Sequence, residues 1–313
     1  MGAKSRSRSS FARAAFFLLL SGCCSMGLGR MTPREPAAYE EHVRSLQQEL
    51  PPEFTVVPAP PFVVVGDAPP SLVRADAQEV VVWAATRLKA DFFPREPKEI
   101  VTIWVFDTDE SYRRNANALF GDIPDTPYGY YQPCHDAIVV NGSLGNGTLV
   151  HEMVHVLMEA NFPDAPTWYD EGLASLFEQP IDVDGHIRGD TNWRLAGLQA
   201  SLEIGWRPSF ETLFGMSRGQ FYDEDHRAKN YAVARYLLYY LQEGGKLIGF
   251  HHRFLRNQEN DPTGLFALKE TMGIVSIDAF TETWSTFVMK LEQRPRTAGA
   301  QPLRSRTMRL SGT

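Results

Sequence analysis

Apolar and polar positions divide the chain into two successive patterns. Between 62 and about 145, short β-branched runs recur at Phe62–Val65, Ile100–Phe106 and Ala137–Val140, each with the length and composition of a strand. Between them the spacing predicts helices over about 74–92 and 109–120, the second opened by the cap-like pair Asp107-Thr108. From about 147 to 291 the apolar period is almost everywhere helical. The exception is Ile181-Asp182-Val183-Asp184-Gly185-His186-Ile187, whose Asp-Gly centre predicts a hairpin turn. Its acids lack the further ligands of a calcium loop, and Gly244-Gly245-Lys246-Leu247 lacks the upstream glycine and following hydroxyl of a phosphate loop. The first reads as a plain turn and the second as a helix stop. The expected fold class is α+β: a lobe over 62–180 with a small sheet and a central helix, then an all-helical lobe over 181–292.

The flanks follow other patterns. Prolines at 33, 36, 51, 52, 58, 60 and 61 surround one short polar helix candidate, Ala37–Leu50, so 23–61 is expected to be a tether. Residues 293–313 are rich in Arg, Ser and Gly without apolar period, the composition of a disordered tail. Residues 1–22 run from basic through Ala14-Ala15-Phe16-Phe17-Leu18-Leu19-Leu20 to small residues, the order of a secretory signal and too short to span a bilayer. Leu20-Ser21-Gly22-Cys23 resembles the bacterial lipobox, which implies cleavage before Cys23 and lipid on its thiol. The alternative is an ordinary signal cleaved slightly later, after Ser25. The lipobox reading implies a membrane-anchored lipoprotein of the cell envelope, facing the periplasm or the exterior.

Charge and cysteine content narrow the partners. The formal net charge is −7, and because residues 1–22 carry +4 and 294–313 carry +5, the residues between carry −16. A body that acidic argues against nucleic acid, which needs a positive field. Three cysteines, two of them at the anchor, supply no disulfide framework, so the fold must rest on its core.

The chemistry lies in Gly147-Thr148-Leu149-Val150-His151-Glu152-Met153-Val154-His155. Residues four apart on a helix share a face, so two imidazoles of an H-E-x-x-H pattern can meet one metal ion while the glutamate beside them stays free as a base. The helix is apolar nearly all round, and burying such polar residues is costly unless something compensates them. By itself the pattern also fits two satisfied core histidines. The next helix candidate sharpens it: Thr167-Trp168-Tyr169-Asp170-Glu171-Gly172-Leu173-Ala174 follows a turn at Pro163-Asp164-Ala165-Pro166 that lets it double back. Glu171 would then complete a His₂Glu set with an open fourth position, the ligand count of catalytic zinc. Asp170 in its place, or an upstream ligand from Cys134-His135, are the competing sets.

H-E-x-x-H followed by W-x-x-E-G-L-A resembles the gluzincins, in particular the small peptidase-MA-like bacterial proteins. The likeness extends diffusely through Asn230–Leu241 and Trp284–Val288, covering roughly 62–291. It implies a zincin-like lobe followed by a helical one, Zn²⁺ on His151, His155 and Glu171, and hydrolysis of peptide or protein substrates with Glu152 as general base. It also implies a tyrosine on a later helix that hydrogen-bonds the oxyanion, best matched by Tyr231. Many gluzincins carry an orienting carboxylate four residues after the third ligand; Ser175 stands there, leaving Asp170 and Glu178 as candidates. Ala137–Asn141 resembles the family's substrate-pairing edge strand, a core strand being the other reading. A catalytically silent zinc-bearing scaffold or binding lipoprotein, and a hydrolase of a non-peptide amide, are the alternative functions.

Overall fold

Three β-branched runs form the centre of one mixed sheet. In this computed structural model, which describes residues 35–292, strands β1 (Thr55–Ala59), β2 (Phe62–Gly66), β3 (Val101–Phe106), β4 (Gly129–Gln132) and β5 (Ala137–Asn141) lie in the order β1-β2-β3-β5-β4. β2, β3 and β5 run parallel and are buried at every position, which is why they read as continuous apolar runs rather than alternating ones. β1 and β4 join the two edges antiparallel.

Side chains of the central strands alternate between two helical layers. Val65, Trp104, Phe106 and Val139 meet Tyr112 and Ala116 of α4 (Asp109–Phe120), while Val63 meets Ala38 and Tyr39 of α1 (Pro36–Glu49). On the other face Val64, Ile103, Ile138 and Val140 share a core with a helical run and with α5 (Gly147–Asn161). That run comprises α2 (Pro70–Ala75), a π-helical segment (Asp76–Val82) and α3 (Trp83–Asp91). The expected helix at 109–120 is found as read: Thr108 caps it reciprocally with Ser111, and Gly121 closes it in the left-handed region at φ 72°.

The expected tether is corrected over its second half. α1 packs on the sheet and β1 pairs with β2 from Thr55↔Gly66 to Ala59↔Phe62, so the folded body begins by Pro36, not at 62. The prolines do not signal flexibility here: Pro58 lies on an edge strand, where the missing N–H costs no ladder bond, and Pro60-Pro61 form the two-residue turn. The signal segment, Cys23 and the basic tail lie outside the described residues.

The division at 180 also fails. After α5, helix α6 (Thr167–Leu176) is buried along almost its whole length, between α5 and α10 (Arg227–Glu243). The hairpin β6 (Pro180–Val183) and β7 (His186–Gly189) turns at Asp184-Gly185, both at positive φ as the sequence predicts, and Asp182 ties it to Arg87 and Trp83 of α3. Helices α7 (Arg194–Glu203), α8 (Phe210–Gly215), α9 (Arg218–Phe221), α11 (Leu247–Asn257), α12 (Leu265–Met272) and α13 (Ile277–Met289) complete the body. One apolar core runs from Ala59 through α5 and α6 to Val288, so 62–292 is a single unit.

Candidate metal centre

α5 and α6 meet as the turn at 163–166 predicts, and their packing brings three donors together. His151 Nε2 and His155 Nε2 stand 3.1 Å apart, with Glu171 Oε2 3.4 Å from the first and 3.7 Å from the second. One ligand atom from each lies within 4.8 Å of the others, and among the described residues this is the group able to hold a metal ion. Glu171 is 4% exposed, and its Oε2 is buried without a hydrogen-bond partner.

Two further carboxylates flank the rings. Asp170 Oδ1 is 2.8 Å from His155 Nδ1, and Glu178 Oε1 is 3.5 Å from His151 Nδ1. A proton kept on each Nδ1 leaves both Nε2 lone pairs facing Glu171 Oε2, three electron-rich atoms around one point. Such a cluster demands positive charge. Burial disfavours the imidazolium of His155, yet Asp170 and Glu171 outweigh it and raise the pKa to about 9. His151 is likewise carried well above its ordinary value, against burial, by Glu171 and Glu178. Burial alone would raise the Glu171 carboxyl, but the two histidines and Tyr222 hold it well below the usual carboxylate range. Two lone-pair nitrogens and one carboxylate oxygen, itself an orphaned buried acceptor, fit a divalent ion.

Asp170 is thus hydrogen-bonded to His155, while Glu178 stands beside His151 Nδ1 at ion-pair distance only. The Ser175 hydroxyl instead donates to the Glu171 carbonyl of its own helix. Glu178 is held by Arg194, whose Nη2 is 2.7 Å from Oε1, and by Asn192 Nδ2, 2.9 Å from Oε2. Glu152, on the same turn as His151, is 8% exposed; burial pushes its carboxyl up and the two imidazoles pull it down.

The donors open onto a cleft of about 560 Å³, within the range of ligand sites. One wall is β4, with Gly129, Tyr130 and Tyr131; the other carries Asp170, Glu171, Arg218 and Tyr231. No protein-family model matches the chain, and no curated protein sequence matches it either.

The edge-strand expectation is corrected. β5 pairs with β3 and β4 and is an inner strand; β4, which the pattern of apolar runs did not mark, is the edge beside the cleft. Tyr231 does line the cleft, where burial and the Glu171 charge push its phenol up and the Arg194 guanidinium lies 4.8 Å from its ring. Sequence reasoning missed Tyr222, whose hydroxyl donates to Glu171 Oε1 across 51 positions of chain. It follows a four-residue helix and has no periodic signal. Cys134 is exposed and His135 packs on Phe120, neither joining the donor cluster.

Three other histidines stand apart from the centre. His186 pairs with Asp91 and His226 with Asp223. His251 is fully buried; its Nε2–H donates to the Phe92 carbonyl and its Nδ1 accepts from the Tyr169 hydroxyl.

Proposed function

We propose that the protein is a zinc-dependent metallopeptidase of the gluzincin type, hydrolysing peptide bonds in the cleft beside β4. The observation that carries this reading is the meeting of His151, His155 and Glu171 within 4.8 Å, with Glu152 on the same helix turn. Two imidazoles and one carboxylate are the donor set of catalytic zinc sites that keep a position open. When bound, zinc supplies Lewis-acid polarisation of a carbonyl and brings the pKa of water toward neutrality.

The chain's own residues divide the remaining work. Glu152 takes the proton of the attacking water and passes it to the leaving amine, a role favoured by a carboxyl raised by burial. Tyr231 donates its hydroxyl to the carbonyl oxygen as negative charge develops there. Asp170 holds the His155 ring, Glu178 lends its charge beside His151, and the backbone edge of β4 offers pairing to an extended substrate. The zincin-like arrangement is supported by α5 lying against the sheet, with the antiparallel edge strand beside the site. The lipobox-like segment supports an envelope lipoprotein, and mass spectrometry of the N-terminal peptide for lipid on Cys23 checks it.

Metal analysis of the purified full chain beside His155→Ala tests the site: about one equivalent of zinc is expected in the first and little in the second. Glu152→Gln should retain zinc and lose roughly 10²–10⁴-fold in peptide turnover. Equal metal in wild type and His155→Ala would discard the centre. Zinc without hydrolysis of any peptide would leave the silent scaffold.

A further inference from the structure

The charges facing the cleft are distributed unequally. Its ionisable walls carry Glu152, Glu159, Asp170 and Glu171, and the only Lys or Arg among its described lining residues is Arg218. Elsewhere on this acidic body some guanidinium groups are matched with carboxylates, as Arg87 with Asp182, Arg188 with Glu243, Arg194 with Glu178 and Arg207 with Glu282, while others, such as Arg95 and Arg235, are held by backbone carbonyls. Arg218, with no ion pair found among the described residues, is the guanidinium exposed at the cleft.

Its position is nevertheless fixed. The guanidinium carbon lies 5.1 Å from the centroid of the Tyr222 ring, and the hydroxyl of that same tyrosine donates to Glu171. Tyr222 thus spans from a candidate metal ligand at one end to a stacked arginine along its face. A guanidinium stacked in this way keeps its planar fork of N–H donors free, and that fork matches a carboxylate in bidentate geometry.

Resting on the peptidase reading, we infer that Arg218 anchors a carboxylate of the substrate beside the scissile bond. The substrate class is peptides bearing an acidic side chain, or a free C-terminal carboxylate, at the position that faces α9. Glu159, which also lines the cleft, disfavours an anion beside it, so the anchor sets position as well as preference. The pair lies at an exposed rim, so its contribution should decline with added salt.

The experiment uses the zinc-loaded full chain and a set of otherwise identical peptides. One series places Glu, Gln or Lys at each position flanking the cleavable bond; a second compares free C-terminal acid with amide. Cleavage is followed with wild type, and binding by fluorescence anisotropy with the Glu152→Gln protein. About tenfold preference for the carboxylate-bearing peptides is expected, expressed mainly in KM and binding affinity. Arg218→Gln should erase it and Arg218→Glu should turn it toward Lys or the amide, with thermal transitions unchanged. Preference at one internal position identifies a side-chain carboxylate; preference for free acid over amide identifies the chain terminus. Cleavage with no charge discrimination overturns the anchor and leaves the peptidase reading standing. Charge-dependent binding without cleavage by wild type sinks the peptidase reading and leaves the anchor. Binding of none of the peptides overturns both.

Discussion

At the residue scale the site is defined by which atoms lack a neutral partner. Asp170 accepts from His155 Nδ1 at a partly exposed position, so its removal should loosen the ring without emptying a core. Asp170→Ala is expected to weaken zinc affinity by about 10–100-fold in chelator competition while leaving the thermal transition of the metal-stripped protein nearly unchanged. An unaltered affinity would show that His155 needs no orienter. His251 illustrates the opposite case, a histidine neutral by design. Burial lowers its pKa from 6.5 to about 4, opposed by its bond to the Phe92 carbonyl. The unfolded chain therefore binds a proton there that the folded one refuses. Stability contributed by this residue is intact above pH 6.5, falls as pH drops toward 4, and is level below that. The total is about 3 kcal/mol. Urea denaturation of wild type against His251→Gln across that window should give a flatter profile for the variant; parallel profiles would refute it.

At the scale of elements, the placement of Glu171 depends on how closely α6 approaches its neighbours. Gly172 is the decisive contact: a Cβ there would lie 3.2 Å from the Ala234 backbone and methyl of α10. Gly147 plays the same part at the start of α5, where a Cβ would meet the Glu178 carbonyl at 2.3 Å. Gly172→Val should cost about 1–3 kcal/mol by overpacking. It should also shift the adjacent Glu171 and so lower metal affinity, unlike a helix-surface valine of equal propensity. Denaturant midpoints and chelator competition on the same samples read the two effects; lost stability with unchanged affinity would uncouple the interface from the centre.

For the whole molecule, the continuous core ties the sheet, α5, α6 and the later helices into one cooperative body. The N-terminal 35–61 belongs to it, since α1 and β1 cover Val63 and pair the edge of β2. A chain shortened to begin at 62 should therefore be strongly destabilised and prone to associate through the bared β2 edge. Light scattering and circular dichroism would detect this; a monomeric, fully folded product would restore the tether. No helix of the described residues is long and apolar enough to cross a membrane.

What the amino-acid order determined by itself is what short-range geometry determines. Two histidines four apart share a helix face wherever that helix goes, so His151, His155 and the neighbouring Glu152 were legible, as were the buried strands and the capped helix at 109–120. Glu171 was legible because a short turn leaves α6 little choice but to fold back on α5. The rest was decided by packing between distant segments. Tyr222 on Glu171, Glu178 on His151 with Arg194 behind it, β4 as the edge, and β1 within the sheet depend on separations of many residues. No local period encodes such contacts. They exist because burying one continuous apolar core leaves each polar group a single place in which it can be satisfied.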